Sequence, residues 1–252
     1  MNVRLYCFAH AGAGVSSFDR WHERSGPGVD IVPVLLPGRE ARRSEPRPTG
    51  RDALLDDLFG PLAAAAAGGG PYALYGHSLG GMVAYTLTRA LLDAGLPGPE
   101  FLAVGAIPAP DVVRPRDTGD LSDAELLSFV GDLGSAPTGL LAEEGSIWHR
   151  VVLPVLRDDF ALAAALRAAA TDPATGGPLP VPVLAVDGLY DPVAGAAALD
   201  GWRRWTTERC VRRTVPGDHF FVRGPEIAEL LGRACRVAHR AATWPVPVGG
   251  RC

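Results

Sequence analysis

The stretch that decides the fold is residues 71–81, which read PYALYGHSLGG. Its apolar run Tyr72–Tyr75 predicts a buried strand, and the segment Leu79–Ala94 that follows has the period of a helix. Between the two, residues 76–80 match the G-x-S-x-G pattern of a tight strand-to-helix turn. Because glycine tolerates the backbone angles and the close packing that such a turn needs, we expect Ser78 to be exposed at its tip.

Further apolar runs on either side of this stretch predict more strands. None of them alternates strictly between apolar and polar residues, so we expect strands buried on both faces, as in a parallel sheet. The runs are Val3–Phe8, Ile31–Leu36, Phe101–Ala106, Val181–Val186 and Cys210–Val215. Helix-like segments lie between them, including Asp52–Ala67 and a last helix that contains Ile227 and Leu231. The sequence therefore predicts an α/β fold with a mostly parallel central sheet covered by helices on both faces.

One region, from about residue 117 to residue 172, contains no strand-like run. Ser122 followed by Glu125 three residues later is typical of a capping box that starts a helix, and Leu153–Ala170 predicts another helix. We interpret this insertion as a helical lid, with a plain crossover connection as the alternative. We expect residues 1–243 to form a single domain and the Pro- and Gly-rich residues 244–252 to form a flexible tail.

The composition excludes several classes of protein. All 24 basic residues among the 252 are Arg, so Schiff-base enzymes, lysine-bound pyridoxal phosphate and Walker-A loops are excluded, because each needs a Lys amine. A net charge of -4 argues against nucleic-acid binding. The four Cys lack C-x-x-C spacing, and His, Asp and Glu show no metal-ligand spacing. We therefore expect no metal and no cofactor.

Targeting signals are also missing from the sequence. The chain has no run of about 18 apolar residues, so we expect no membrane span. The first ten residues, MNVRLYCFAH, do not have the pattern of a signal peptide. We therefore expect a cytoplasmic protein with reduced cysteines.

A serine nucleophile needs a base, and the base needs a carboxylate that orients it. Among six histidines we select His219, because it lies in a loop directly after the predicted strand Cys210–Val215. For the carboxylate we prefer Asp191, which follows the preceding strand, and we keep Asp187 as its rival. The chain order Ser, Asp, His is that of the α/β-hydrolases.

The oxyanion that forms at the substrate carbonyl needs two amide donors. We expect them to be the amides of Leu79, at the helix N-terminus, and of Ala11, in the small-residue loop after the first strand. His10 either contributes a side chain there or packs against the loop. The glycines of this loop do not complete the dinucleotide-binding pattern, because Ser17 stands where the third glycine belongs.

Six stretches, in this order, resemble the stand-alone type II thioesterases of polyketide and nonribosomal peptide pathways. They are residues 4–12 (RLYCFAHAG), 36–40 (LPGRE), 76–81 (GHSLGG), 154–160 (PVLRDDF), 188–192 (GLYDP) and 217–221 (GDHFF). The chain departs from the family pattern at four positions: Ala9, where Pro is common, Leu79, where Met is usual, and Gly81 and Asp158, where Ala is found. These departures bear on the acyl pocket and the substrate preference more than on the reaction.

The resemblance implies an α/β-hydrolase fold with a helical lid. It also implies hydrolysis of acyl groups from the phosphopantetheine of an acyl or peptidyl carrier protein. The implied role of this reaction is the removal of stalled or aberrant acyl groups. The triad positions of the family fall on Ser78, Asp191 and His219, and its oxyanion positions fall on Ala11 and Leu79. A general carboxylesterase or lactonase, a chain-releasing thioesterase or cyclase, and a non-catalytic binding protein remain the alternatives. Arg39 and Arg157 also belong to the family pattern, and each fits an ion pair as well as a substrate contact.

Overall fold

The computed structural model describes residues 1–112, 121–133 and 148–243. Six strands form its centre: β1 (Val3–Phe8), β2 (Val29–Val34), β3 (Tyr72–His77), β4 (Leu102–Gly105), β5 (Val183–Gly188) and β6 (Cys210–Val215). They lie in the order β2-β1-β3-β4-β5-β6, and all five pairings between neighbours are parallel. The predicted parallel sheet is confirmed.

The apolar runs form strands because both faces of the sheet are covered. Every residue of β3 and of β5 is buried, whereas the edge strands β2 and β6 include exposed positions. On β6 these positions include Arg212 and Arg213. A continuous apolar sequence thus marks the inner strands, as expected for a sheet with helices on both sides.

The helices divide between the two faces of the sheet. They are α1 (Trp21–Arg24), α2 (Arg51–Ala67), α3 (Leu79–Asp93), α4 (Asp123–Asp132), α5 (Leu153–Thr171), α6 (Ala196–Asp200) and α7 (Pro225–Thr243). Short single turns, mostly of 3-10 type, cover Val15–Phe18, Glu40–Arg42, Trp148–Val152, Gly201–Trp205 and Phe221–Arg223. The apolar residues of α2, α3 and α5 pack on one face of the sheet, and those of α1 and α7 pack on the other.

Two strands are shifted by two residues from their predicted positions: β2 lies earlier in the sequence than its apolar run, and β5 lies later. Strand β2 ends at Val34, so Leu36 lies beyond the strand, where its side chain is buried in the core. Strand β5 extends to Gly188, because Asp187 and Gly188 continue to pair with β6. At these strand ends, the apolar residues and the residues that pair with the neighbouring strand are therefore not the same.

The described part of the predicted insertion consists of two helices that share a small apolar cluster. Ser122 accepts a hydrogen bond from the Glu125 amide, and the Glu125 carboxylate accepts one from the Ser122 amide, so the predicted capping box starts α4. Leu127 of α4 and Leu156 of α5 belong to the cluster, against which Ala11 also packs. The predicted tail 244–252 and the insertion segments 117–120 and 134–147 lie outside the described residues. None of the described helices is both long and apolar enough to span a bilayer.

The strand order determines where a site can form. From β1 the chain crosses to β2 on one side, and β3 lies on the other side of β1. The carboxyl ends of β1 and β3 therefore flank the switch point at which parallel sheets open a crevice for ligands.

Candidate active site

Ser78 occupies the turn between β3 and α3 with a strained backbone. Its φ is 54° and its ψ is -117°, a conformation that non-glycine residues rarely adopt. The turn is fixed by hydrogen bonds, since the Ser78 amide donates to the Gly105 carbonyl at 2.7 Å and the Gly81 amide donates to the Ser78 carbonyl at 2.8 Å. The Ser78 side chain does not cap α3, so its hydroxyl is available to other groups.

Two glycines allow the elements around Ser78 to pack backbone against backbone. A Cβ at Gly76 would collide with the Gly80 carbonyl, and a Cβ at Gly80 would collide with the carbonyl of Phe8 at the end of β1. The N-terminus of α3 therefore lies directly against the chain that leads from β1 into residues 10–14. This contact places the loop 10–14, which contains Ala11, beside the turn that contains Ser78.

The structure brings the three predicted side chains together. His219 Nδ1 lies 3.1 Å from both carboxylate oxygens of Asp191, and His219 Nε2 lies 3.3 Å from the Ser78 Oγ. A carboxylate can only accept, so the proton is on Nδ1 and the bare Nε2 faces the hydroxyl. The arrangement has the geometry of a nucleophile, a base and an orienting carboxylate.

Asp191 is held in its ionised form. Burial acts to raise its pKa, but the hydrogen bond and charge of His219, together with the amides of Val193 and Ala194, outweigh burial and place the pKa below its ordinary value. Those two amides donate to Asp191 Oδ1 at 2.9 and 3.2 Å. The carboxylate is therefore oriented from both sides, by the imidazole and by its own loop.

His77, next to the serine, points away from it as expected, but it contacts the predicted base from behind. Its Nε2 lies 2.7 Å from the His219 carbonyl and its Nδ1 lies 2.8 Å from the Tyr75 hydroxyl. The ring is fully buried, and burial, followed by the charges of His10 and His219, holds its pKa well below 6.5. A neutral His77 therefore accepts from Tyr75 and donates to the backbone of His219, a role that the local sequence does not signal.

The competing candidates have other partners. The Asp187 carboxylate accepts from the Thr214 hydroxyl at 2.8 Å, and His239 lies 3.0 Å from Glu100. His10 packs edge-on against the rings of His77 and Phe220, with centroid distances of 5.7 and 5.0 Å. Burial, followed by the charges of Arg223, His219 and Arg39, lowers its pKa to about 3, so its ring is uncharged near neutrality.

The loop after β1 lies beside the serine. Ala11 and Ser78 line the same small cavity, of about 50 Å³, with His219 at its wall. Within the described residues, neither the Ala11 amide nor the Leu79 amide has a hydrogen-bond partner in the protein. Both predicted oxyanion donors are thus free, and the amide of Leu79 begins a helix whose dipole favours negative charge.

The two family arginines form ion pairs with the insertion. Arg39 Nη2 lies 2.5 Å from Asp159 Oδ1, with both side chains buried, and Arg157 pairs with Asp123 at 2.6 Å near the surface. Asp159 was not among the predicted site residues, and it also accepts a hydrogen bond from the Gly12 amide at 2.7 Å. Its pairing with Arg39 spans 120 residues of sequence, so no local pattern could have revealed it.

An open groove of about 940 Å³ adjoins the cavity and shares His10 with it. The groove lies on the side of β1 and β2, between the loop 10–14 and the turn that precedes α5. Its lining residues include His10, Gly12, Arg39, Arg43, Val155 and Arg223. The small cavity, in contrast, is closed by apolar side chains such as Phe129 and Phe160.

A parallel sheet with a serine at the strained turn after β3 and loops after β5 and β6 that converge on it defines the α/β-hydrolase fold. Comparison with known proteins shows which family of α/β-hydrolases the chain belongs to. The profile of the family described as "Thioesterase domain" matches residues 3–235, so the chain belongs to the thioesterase family and is a hydrolase that acts on thioesters.

Individual relatives agree with this membership. RedJ, described as a thioesterase from the prodiginine biosynthetic pathway in Streptomyces coelicolor, is 34% identical with a TM-score of 0.80, over 92% of this chain and 89% of RedJ. YbtT, described as a type II thioesterase from the yersiniabactin pathway, is 25% identical with a TM-score of 0.81, over 95% and 94% of the two chains. The AMB antimetabolite synthetase AmbE of Pseudomonas aeruginosa is 33% identical over 225 residues, which are 87% of this chain but 10% of that longer protein. The resemblance to type II thioesterases is thus confirmed.

Proposed function

We propose that this thioesterase hydrolyses acyl groups from the phosphopantetheine arm of acyl or peptidyl carrier proteins and so removes stalled or aberrant acyl groups. The observation that carries the proposal is the His219 ring, which bridges Ser78 Oγ and the Asp191 carboxylate. The description of YbtT as a type II thioesterase of a mixed peptide and polyketide pathway supports the carrier-bound substrate.

In the proposed mechanism, Ser78 Oγ attacks the thioester carbonyl while His219 Nε2 accepts the hydroxyl proton. The Ala11 and Leu79 amides donate to the oxyanion, and Asp191 stabilises the imidazolium. The C–S bond then breaks, and the proton on His219 passes to the departing thiolate sulfur, which is a good leaving group because the pKa of a thiol is about 8.5. Water, deprotonated by His219, cleaves the acyl-serine and restores the hydroxyl.

The groove supports the approach of a long, partly anionic arm to Ser78. It reaches the wall of the cavity at His10, and Arg43 and Arg223 line it beside the carboxylates Asp19 and Glu40. Among the described residues, no carboxylate lies within ion-pair distance of these two arginines. We take the groove as the path of the phosphopantetheine arm and the insertion that contains α4 and α5 as the lid of a single domain.

The test begins with Ser78→Ala. We expect this variant to lose about 10⁶-fold in kcat, because the nucleophile and its base act as a unit. Ser128→Ala, at an exposed position on α4, is the matched control and should retain wild-type turnover. A fluorophosphonate should label the wild-type chain at Ser78 and leave the Ser78→Ala variant unlabelled; near-normal turnover by that variant would refute the mechanism.

The substrate is tested by comparing kcat/KM for an acyl carrier protein, acyl-coenzyme A and a simple aryl ester. We expect the carrier protein to be the best of the three. A clear preference for the aryl ester would favour a general carboxylesterase. A cyclic product from a carrier-bound chain would favour chain release.

A further inference from the structure

The loop 10–14, which contains the proposed donor Ala11, is a tight turn. The Ala13 amide donates to the His10 carbonyl at 3.1 Å, and Gly12 has a φ of +76°. These are the features of a type II turn with glycine at its third position. The direction of each amide in such a turn, including that of Ala11, depends on the contacts that fix the orientation of the turn.

Two charged side chains from distant elements hold this turn. Asp159 of α5 accepts the Gly12 amide with Oδ2 at 2.7 Å and pairs through Oδ1 with Arg39. The Arg39 Nη1 in turn donates to the Ala13 carbonyl at 2.8 Å. The backbone on either side of the turn is thus tied to one ion pair, while the Ala11 amide is left without a protein partner.

This ion pair is almost completely buried. Asp159 is 1% exposed and Arg39 is 8% exposed. Burial raises the pKa of Asp159, although Arg39 and the Gly12 amide act to lower it, so desolvation outweighs the pairing. Buried ion pairs of this kind are often replaceable by apolar residues without loss of stability. The contacts that the pair makes with the Gly12 amide and the Ala13 carbonyl point to a role in aligning the turn.

We propose that Arg39 and Asp159 are positioning residues for the oxyanion site and that they make its alignment depend on the seating of α5. The inference rests on the proposed function, in which the Ala11 amide stabilises the oxyanion. Helix α5 also contacts the turn directly, since a Cβ at Gly12 would lie 3.0 Å from the Leu156 side chain. The oxyanion site is complete only when α5 of the insertion is packed against the loop 10–14.

The test replaces the pair by apolar residues of similar size, in the double variant Arg39→Met with Asp159→Leu. We expect the variant to fold with a Tm lowered by a few degrees, because the Gly12 amide and the Ala13 carbonyl lose their partners. It should lose about 10- to 100-fold in kcat and keep its KM within about twofold, since a misplaced oxyanion donor weakens only the transition state. Its affinity for a boronic acid that mimics the tetrahedral adduct should fall by the same factor. The matched control, Arg157→Gln with Asp123→Asn, removes the more exposed ion pair between α5 and α4 and should leave kcat, KM and boronic-acid affinity unchanged.

Unchanged kcat in the folded double variant would overturn the inference, as would a fall in kcat without weaker boronic-acid binding. If the double variant does not fold, Arg39→Lys replaces it, because a single amine keeps the charge but cannot bond both Asp159 and Ala13 in the same way. We then expect about a tenfold loss of kcat, and wild-type kcat would refute the proposal. Full activity in Ser78→Ala would instead reject the proposed function, so the two failures are distinguishable.

Discussion

The two halves of the site are built in different ways. The base half, Asp191 and His219, is held by neighbours that belong to the sheet and its loops: His77 at the end of β3 and the amides of Val193 and Ala194. The oxyanion half, the loop 10–14, is held by a charged pair that reaches it from the segment after β2 and from α5.

This difference separates the contacts that the sheet and its loops supply from those that the insertion supplies. Once the parallel sheet has formed, the loops that position the base are already in place, because the carboxyl ends of its strands meet at one edge. The proposed oxyanion half is held, in addition, by a helix of the insertion, because Asp159 of α5 accepts the Gly12 amide. Changes on the base side should therefore act on proton transfer, and changes on the oxyanion side should act on carbonyl polarisation.

The largest expected effect is on the base half. Asp191→Asn should lower kcat by about 10⁴-fold, because an amide no longer fixes the His219 tautomer that accepts the serine proton. Asp187→Asn is the matched control, since Asp187 bonds Thr214 rather than His219, and its kcat should stay near that of the wild type. Both variants are assayed by steady-state kinetics. A large loss of kcat in Asp187→Asn together with a near-normal kcat in Asp191→Asn would show that Asp187 is the orienting carboxylate.

The next effect is on the oxyanion half. Gly80→Ala places a Cβ against the Phe8 carbonyl, so α3 must move away from the loop after β1 and carry the Leu79 amide with it. We expect kcat to fall by about 10²- to 10³-fold, as for the loss of one oxyanion donor.

Gly81→Ala is the comparison for this variant, because its Cβ would approach a methyl group of the buried Ile107 rather than the carbonyl of Phe8, so it does not press α3 against β1. It should retain much more activity than Gly80→Ala when both are assayed at saturating substrate. Equal activity of the two variants would argue that the contact between α3 and β1 is unimportant for catalysis.

A smaller effect is expected behind the base. His77→Gln removes the bond that holds the His219 carbonyl or the bond to Tyr75, and we expect roughly a tenfold lower kcat with a stability loss of about 1–3 kcal/mol. Tyr75→Phe is the comparison variant, because it deletes the hydroxyl and leaves the His77 bond to His219 in place. Tyr75→Phe should lose stability with little change in kcat. If Tyr75→Phe and His77→Gln lose kcat equally, the effect comes from destabilisation of the core and not from the bond between His77 and His219.

The smallest effect concerns stability at low pH. The pKa of Asp191 is below its ordinary carboxyl value of 3.8 in the folded chain, so its contribution to the free energy of unfolding is present above that value and is lost as the pH falls through the folded pKa. Urea unfolding of the wild type and of Asp191→Asn, from pH 7 to pH 3, should show a stability difference that narrows below about pH 4. A difference that stays constant over this range would contradict the assigned pKa shift.

Much of the site was predictable because its residues follow strands. The turn motif pointed to Ser78, and the loops after two apolar runs pointed to Asp191 and His219, which the structure places in one hydrogen-bonded row. This succeeded because parallel strands deliver their carboxyl ends to a common edge, whatever lies between them in the sequence. Their catalytic roles stay predictions until the variants are assayed.

The supporting contacts were not predictable in the same way. With 24 basic and 28 acidic residues in the chain, nothing in the sequence indicates that Arg39 pairs with Asp159. The partner of His77 is a backbone carbonyl, which every residue possesses, so the sequence holds no signal for it. Strand ends such as that of β5 were missed because apolar character reports burial, whereas the strand is defined by pairing with β6.

The distance along the chain between Ser78 and His219 also has a consequence for biosynthesis. These residues are 141 positions apart. At translation rates of about 5–20 residues per second, His219 is added roughly 7–28 s after Ser78. A polypeptide whose translation aborts within that interval contains Ser78 without His219, so under the proposed mechanism such a truncated product is inactive.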